Sequence, residues 1–241
     1  MTSFGPPVRV ALGIIIPALN EEASIGHVVS GLRQVAEKQS TFFIQDIVVV
    51  DNGSADETMS VAATAGAHVL SESRKGYGYA CKAGIAWFGI QLNPPVVIVF
   101  ADGDLADDPQ DLPKLIEAIA RGADLVIGSR YFAESGSLTF PQRFGNALAV
   151  FLIRLLYGQR FTDLGPFRAI RWEALLLLDM QDNTYGWTVE MQLKAARRKL
   201  RCDEIRVNYR RRVGVSKVSG TIKGSILAGD KILTTIFKYR L

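Results

Sequence analysis

The chain has 241 residues, 48% of them hydrophobic and 22% charged. That size and balance suit one α/β domain with a sizeable core. The two cysteines, Cys81 and Cys202, and the two histidines, His27 and His68, are isolated. They exclude a disulfide framework, a zinc site, a histidine metal centre and a Ser–His triad, and they make a reducing cytosol the default compartment. The net charge of +4 conceals an asymmetry: residues 1–190 carry 14 Lys+Arg against 21 Asp+Glu, and residues 191–241 carry 14 against 3. A basic C-terminal fifth points to an anionic partner (phosphates, nucleic acid or an acidic membrane) or to a solubilising face. Residues 1–9 lack the apolar core of a signal peptide, and no apolar run reaches the roughly 18 residues that a membrane span needs.

In chain order, the first 130 residues alternate β-branched runs with helical segments, the pattern of a parallel sheet with crossover helices. Strands are expected at Val10–Ile16, Asp46–Val50, Ala67–Leu70, Val96–Ala101 and Asp124–Gly128. The helices between them fall at about 22–38 with Asn20 as cap, 55–65, 77–88, and 109–121 with Pro109 in the first turn. Beyond residue 130 the alternation stops. Residues 131–143 read as a loop, 145–157 as a largely apolar helix, 163–171 as a loop or short strand, 186–199 as a helix, 203–213 as extended chain, 215–221 as a small-residue loop and 222–240 as a final helix.

Ligands of open α/β sheets bind beyond the carboxyl ends of the strands, and that is where the unusual polar residues fall. The first strand runs into Pro17-Ala18-Leu19-Asn20-Glu21, the second into Asp51-Asn52-Gly53-Ser54, the fourth into Asp102-Gly103-Asp104 and the fifth into Gly128-Ser129-Arg130. One such aspartate is an ordinary turn residue; four strands converging is not a packing pattern. Asp102 and Asp104, two residues apart at a buried strand tip, repel each other. A hard divalent cation, Mg²⁺ or Mn²⁺, relieves that repulsion while leaving coordination positions for phosphate oxygens.

The segments IIIPALNEE (14–22), VVVDNGSADET (48–58), RKGYGYACKAGI (74–85), VFADGDLADDP (99–109), IGSRY (127–131), RFGNALAVFLIRLLYG (143–158), FTDLGPFRAIR (161–171), YGWTVEMQLKA (185–195) and YRRRVGVSKVSGT (209–221) run nearly end to end. Together they resemble the family 2 glycosyltransferases of the A-type fold, close to the dolichyl- and polyprenyl-phosphate sugar transferases. The resemblance implies a single nucleotide-diphospho-sugar transferase domain with a mostly parallel sheet and helices on both faces. Residues of about 10–130 form its nucleotide-sugar half and about 131–241 its acceptor half. It implies that Pro17, Asn20, Glu21 and Asp51 hold the nucleoside and that Asp102 and Asp104 hold the metal. Arg130, Arg168, Arg211 and Lys217 would face phosphates, and Gly53, Lys75, Arg143 and Ser216 fall in the matching segments at the substrates. Relatives acting on dolichyl phosphate often carry a metal-binding Gln where this chain has Ala106, so Asp107 or water would complete the shell.

A lipid phosphate is already anionic and needs cations rather than a base, and Arg130, Arg143, Arg168, the Arg210-Arg211-Arg212 run and Lys217 can supply them; a sugar hydroxyl needs a carboxylate base, for which Asp163 and Glu190 are the candidates. The expected reaction is transfer of a hexose from a GDP- or UDP-sugar to a polyprenyl phosphate with inversion, by a protein held peripherally on the cytoplasmic face of a membrane. A homo-oligomer is left open. The rival readings are a cytosolic transferase using a soluble hydroxyl acceptor and a nucleotidyltransferase; the latter lacks its Gly-rich basic loop after the first strand. Nucleic acid is not expected as a partner, because the first 190 residues are acidic. Residues 147–157 and 222–240 are the segments expected to form either core helices or amphipathic helices on the membrane.

Overall fold

A computed structural model describes residues 9–130, 140–214 and 222–239. Strand β1 (Val10–Ala18) is the axis of the sheet. It carries no charged side chain, and Ile14, Ile15 and Ile16 are all fully buried, so both of its faces are covered. The remaining elements are α1 (Ile25–Glu37), β2 (Phe42–Asp51), α2 (Thr58–Thr64), β3 (His68–Ser71), α3 (Tyr77–Gly89), β4 (Val97–Phe100), a 3₁₀ turn leading into α4 (Leu112–Ala120), β5 (Leu125–Ser129), α5 (Phe140–Tyr157), β6 (Arg168–Arg171), α6 (Trp172–Leu178), α7 (Trp187–Arg197), β7 (Cys202–Arg206) and α8 (Ile222–Lys238). The sheet order is β3-β2-β1-β4-β6-β5-β7. Every pairing is parallel except those of β6, which runs against β4 and β5.

The pleat sorts the core into two layers. Ile14 and Ile16 face one with α1, α2 and α4; Ile15 faces the other with α3, α5, α6 and α7. β6 is the structural surprise. The chain leaves β5 at the rim, passes through α5, and returns from that same rim, so its next strand must run the opposite way. Arg168 therefore starts β6 opposite Phe100 and Ile127, next to the polar edge.

The expected elements appear with shifted ends. The first helix begins at Ile25 behind Ser24, so Asn20 is not its cap. The second strand extends back to Phe42, and α6, absent from the sequence reading, forms at Trp172–Leu178. The helix expected at 145–157 starts earlier, at Phe140. The loop expected at 215–221, with Ser216 and Lys217, lies outside the described residues.

Candidate active site

The loops after β1, β2 and β3 are tied together before any ligand is considered. Asn20, at φ +52°, accepts from the Ala55 N–H at 2.8 Å, while its own N–H donates to Ser54 Oγ at 2.8 Å. The Glu21 N–H donates to Thr58 Oγ1 at 2.8 Å. Asn52 donates to the Glu72 and Arg74 carbonyls at 2.9 and 2.8 Å and accepts from the Gly76 N–H at 2.7 Å, clamping the loop that leads into α3. Gly76 and Gly78 carry no Cβ because the 182–183 backbone lies where one would be. That backbone is held by Glu190, fully buried, which accepts from the N–H groups of Gln181 and Asp182 at 2.9 and 2.6 Å.

These loops enclose a cavity of about 300 Å³. Pro17, Glu21, Lys75, Asp102 and Asp104 line it, with Tyr77, Thr184 and Tyr185, for which the sequence suggested no role, and Arg212, expected only as one of the arginines of the 210–212 run. Tyr77 donates to Asp102 Oδ1 at 3.2 Å, and the Ala106 N–H donates to Asp104 Oδ1 at 2.9 Å. Arg212 Nη2 reaches Asp104 Oδ2 at 3.2 Å and Glu21 Oε1 at 3.1 Å. Asp107 is buried and both its oxygens lack a partner among the described residues. Burial, then Asp102, pushes its carboxyl well above the usual range. Asp102, Asp104 and Asp107 do not form a three-carboxylate metal cage. Two carboxylates with phosphate oxygens and water are nevertheless an ordinary Mg²⁺ or Mn²⁺ donor set, and an arginine already stands on one of them as a cation. The residues fit the ion.

A second concavity, about 730 Å³, opens beside β5 and α5. Arg130, Arg143 and Arg154 line it with Val150, Phe151 and Phe161. Arg130 is fixed by Asp163 through Nε–Oδ2 at 2.7 Å and Nη2–Oδ1 at 2.9 Å, and lies 5.1 Å from the centre of the Tyr209 ring.

Several expected roles are corrected. Arg168 is fully buried; Nε donates to the Gly165 carbonyl at 3.0 Å, Nη1 to Thr188 at 3.0 Å and Nη2 to Leu164 at 3.2 Å, so its guanidinium has no route to a phosphate. The neighbouring glycine that seemed to admit a ligand admits backbone instead: a Cβ on Gly165 would strike the Gly128 carbonyl. Asp163 is the counter-ion of Arg130 rather than a base; burial would raise its carboxyl, but Arg130 carries it below the usual value. Glu190 holds a loop, pairs with Lys194 at 2.7 Å and touches no substrate surface. Arg211 is exposed and lines neither concavity, whereas Arg212 lines the first. Asp51 is buried behind Asn52, its carboxylate accepting from the Gly53 N–H at 3.0 Å, and Gly53 at φ +83° turns its carbonyl to Lys75 Nζ at 2.8 Å. Asn20 ties loops instead of lining the cavity. The sequence held a signal for which arginine of the run reaches the rim: in an extended run of three, alternate side chains share a face, and Arg210 and Arg212 are the pair that meet carboxylates, Asp108 and Asp104.

With this geometry in hand, the model of the glycosyl transferase family 2 matches residues 13–176. The chain belongs to that family. It is 33% identical over 223 residues to an undecaprenyl-phosphate mannosyltransferase of Micrococcus luteus, covering 87% of this chain and 88% of that one. It is 30% identical over 233 residues to a dolichyl-phosphate hexose transferase of Haloferax volcanii, covering 95% and 96%. The crystal structure of glucosyl-3-phosphoglycerate synthase from Mycobacterium tuberculosis, with Mn²⁺, UDP and phosphoglyceric acid, superposes with a TM-score of 0.76 at 20% identity, covering 96% and 78%. The fold is thus that of the A-type glycosyltransferases, and the protein is a family 2 glycosyltransferase.

Two predictions follow from the carboxylate rim and its buried arginine. Burial, then the charge of Asp104, pushes the Asp102 carboxyl up to about 7. Native protein therefore keeps a proton that the unfolded chain releases near pH ~4, so this stabilisation is complete below that value and is lost as pH rises toward 7. In thermal melts without metal, Tm falls more steeply over that window in wild type than in Asp102→Asn; equal slopes would show that Asp102 does not titrate there. Arg168→Ala removes the guanidinium donors to the Leu164, Gly165 and Thr188 carbonyls and lowers unfolding free energy by about 3 kcal/mol or more in urea titrations. A fully stable but inactive variant would restore the phosphate role.

Proposed function

We propose that this glycosyltransferase moves a hexose from a UDP- or GDP-sugar onto a polyprenyl phosphate at the cytoplasmic surface of a membrane, inverting the anomeric carbon. The observation that carries the reading is the second concavity: three arginines beside Val150, Phe151 and Phe161 offer one ligand both a phosphate site and an apolar flank. The corrected carboxylates support it. Asp163 and Glu190, the expected bases, are both committed to cations or backbone, and a phosphate nucleophile needs neither. The two relatives named for undecaprenyl and dolichyl phosphate transfer agree with it.

In the first cavity, Pro17, Glu21 and Asn52 border the donor, Lys75 and Arg212 add positive charge, and Asp102 and Asp104 would hold Mg²⁺ or Mn²⁺. When bound, that ion supplies Lewis-acid neutralisation of the diphosphate leaving group. Arg130, stiffened by Asp163, and Arg143 attract the acceptor phosphate toward the donor. A second reading, a soluble phosphorylated acceptor with a reacting hydroxyl, draws on the structural neighbour that holds UDP and phosphoglyceric acid.

Purified protein with Mg²⁺ or Mn²⁺, a panel of nucleotide-sugars, and either polyprenyl phosphate or phosphoglyceric acid separates these by mass spectrometry. Lipid-linked sugar is the expected product; sugar only on phosphoglycerate would reverse the assignment. Asp104→Ala is expected to lose about 10²–10³-fold in turnover, the scale of one missing electrostatic stabiliser, while remaining folded by circular dichroism. Retained turnover would remove Asp104 from the reaction.

Membrane contact rests on α5. It buries Ala149 and Ile153, yet leaves Phe144, Phe151 and Leu155 at 63%, 59% and 66% exposure. Spacings of seven and four residues put these three on one side of the helix. Among the described residues no helix is long and apolar enough to cross a membrane. The double variant Phe151→Glu/Leu155→Glu is expected to bind anionic vesicles about tenfold more weakly or worse in flotation assays, with Tm unchanged. Undiminished flotation would place the membrane contact elsewhere.

A further inference from the structure

The acidic rim is already paired by groups of this chain. Asp104 gives Oδ1 to the Ala106 N–H at 2.9 Å, and its other oxygen, Oδ2, is held at 3.2 Å by Arg212 Nη2. The same nitrogen reaches Glu21 Oε1 at 3.1 Å. Residues 208–213 bring Arg212 there as a strap laid along residues 104–108. The Asp108 N–H donates to the Asn208 carbonyl at 3.3 Å, the Arg210 N–H to Ala106 at 2.9 Å and the Val213 N–H to Asp104 at 3.0 Å. Arg210 pairs with Asp108 at 2.6 Å.

Arg212 is not fully spent. Its Nε is buried without a partner among the described residues, although the side chain borders the donor cavity. A buried N–H left unpaired is unfavourable, and an incoming oxygen anion would satisfy it. A divalent cation approaching Asp104 meets the opposite situation: it needs the oxygen that Arg212 holds, and the two cations repel.

We propose that Arg212 is a resident counter-ion that is exchanged during loading: the metal takes Asp104, and the guanidinium turns from Asp104 onto the donor diphosphate. This rests on Asp102 and Asp104 being the metal carboxylates. No covalent bond changes; one ion pair is replaced by two, metal–carboxylate and guanidinium–diphosphate. The planar fork of arginine suits the second of these. Arg212 therefore opposes metal binding to Asp104 and assists the nucleotide once metal is present, two effects of opposite sign from one side chain.

The test is Mn²⁺ titration of the full chain by electron paramagnetic resonance, without nucleotide and with UDP or GDP. Arg212→Gln is expected to bind Mn²⁺ alone threefold or more tightly, about the worth of one partly exposed ion pair. With saturating Mn²⁺ it binds the nucleoside diphosphate about tenfold more weakly, the scale of one charge-assisted hydrogen bond. Arg212→Lys keeps the charge but not the fork, so it leaves Mn²⁺ affinity near wild type while weakening nucleotide binding. Arg211→Gln changes neither. Mn²⁺ binding that is unchanged or weaker in a folded Arg212→Gln overturns the exchange while leaving the metal site in place. No Mn²⁺ uptake by wild type, with or without nucleotide, overturns the metal reading and the exchange with it.

Discussion

Carboxylates crowded onto one edge of a sheet repel one another, and much of this molecule is arranged around that repulsion. Asp102 and Asp104 follow a strand whose four residues are buried, and Asp107 lies beyond them, also buried. Solvent cannot screen such charges as it screens surface ones. The fold answers with donors and cations drawn from distant parts of the chain: the Tyr77 hydroxyl from the start of α3, the Ala106 N–H from the same loop, and Arg212 from the strap after β7. Burial and Asp102 push the Tyr77 phenol well above its usual range, so it stays protonated and remains a donor to Asp102. What is left uncompensated, Asp102 with its raised carboxyl and Asp107 with no partner, is the capacity a bound cation would draw on.

The basic C-terminal fifth takes on a different meaning once it is placed. Read as a sequence, its excess charge pointed outward, to phosphates or a membrane. In the fold part of it pairs with the acidic body of the chain. Lys194 pairs with Glu190, Arg201 lies at Asp124, Arg210 at Asp108, Arg212 at Glu21 and Asp104, and Lys231 at Asp182. Some of the tail's cations are thus counter-ions of the acidic body. Binding of external anions then falls to cations that border a concavity: Lys75 and Arg212 in the first, Arg130, Arg143 and Arg154 in the second.

The sheet was legible in the sequence because β1, β2, β4 and β5 are β-branched and buried on both faces, and the rim was legible because polar residues follow each strand at once. β6 was not, since its direction depends on the chain returning from the same edge it left, a tertiary fact with no local trace. The same limit explains the misassigned charged residues. Arg168 and Glu190 sit in segments that resemble a ligand site, but whether a guanidinium meets a phosphate or three backbone carbonyls is decided by how closely the 164–165 and 188 backbones approach. Which arginine of 210–212 turns inward depends on the register of the strap against residues 104–108, again set by pairing across the fold.

The two concavities are joined by charge as well as by position. Asp107 pairs by a backbone bridge with Tyr209, the Tyr209 ring lies against Arg130, and Arg130 is locked to Asp163. Asp104, Asp107, Arg130 and Asp163 thus form a buried series that starts at the donor cavity and ends at the arginine-lined groove. On the proposed reading, an anionic acceptor entering that groove approaches a donor whose diphosphate repels it. Arg130 is the cation between them, and its pairing with Asp163 gives it rigidity at the cost of part of its charge. A rigid, half-neutralised arginine favours a ligand that can reach past the pair with its own phosphate, and Arg143 stands exposed on the open side of the groove to meet it. On the proposed reading, holding the leaving group falls to Lys75 and Arg212 and admitting the nucleophile to Arg130 and Arg143.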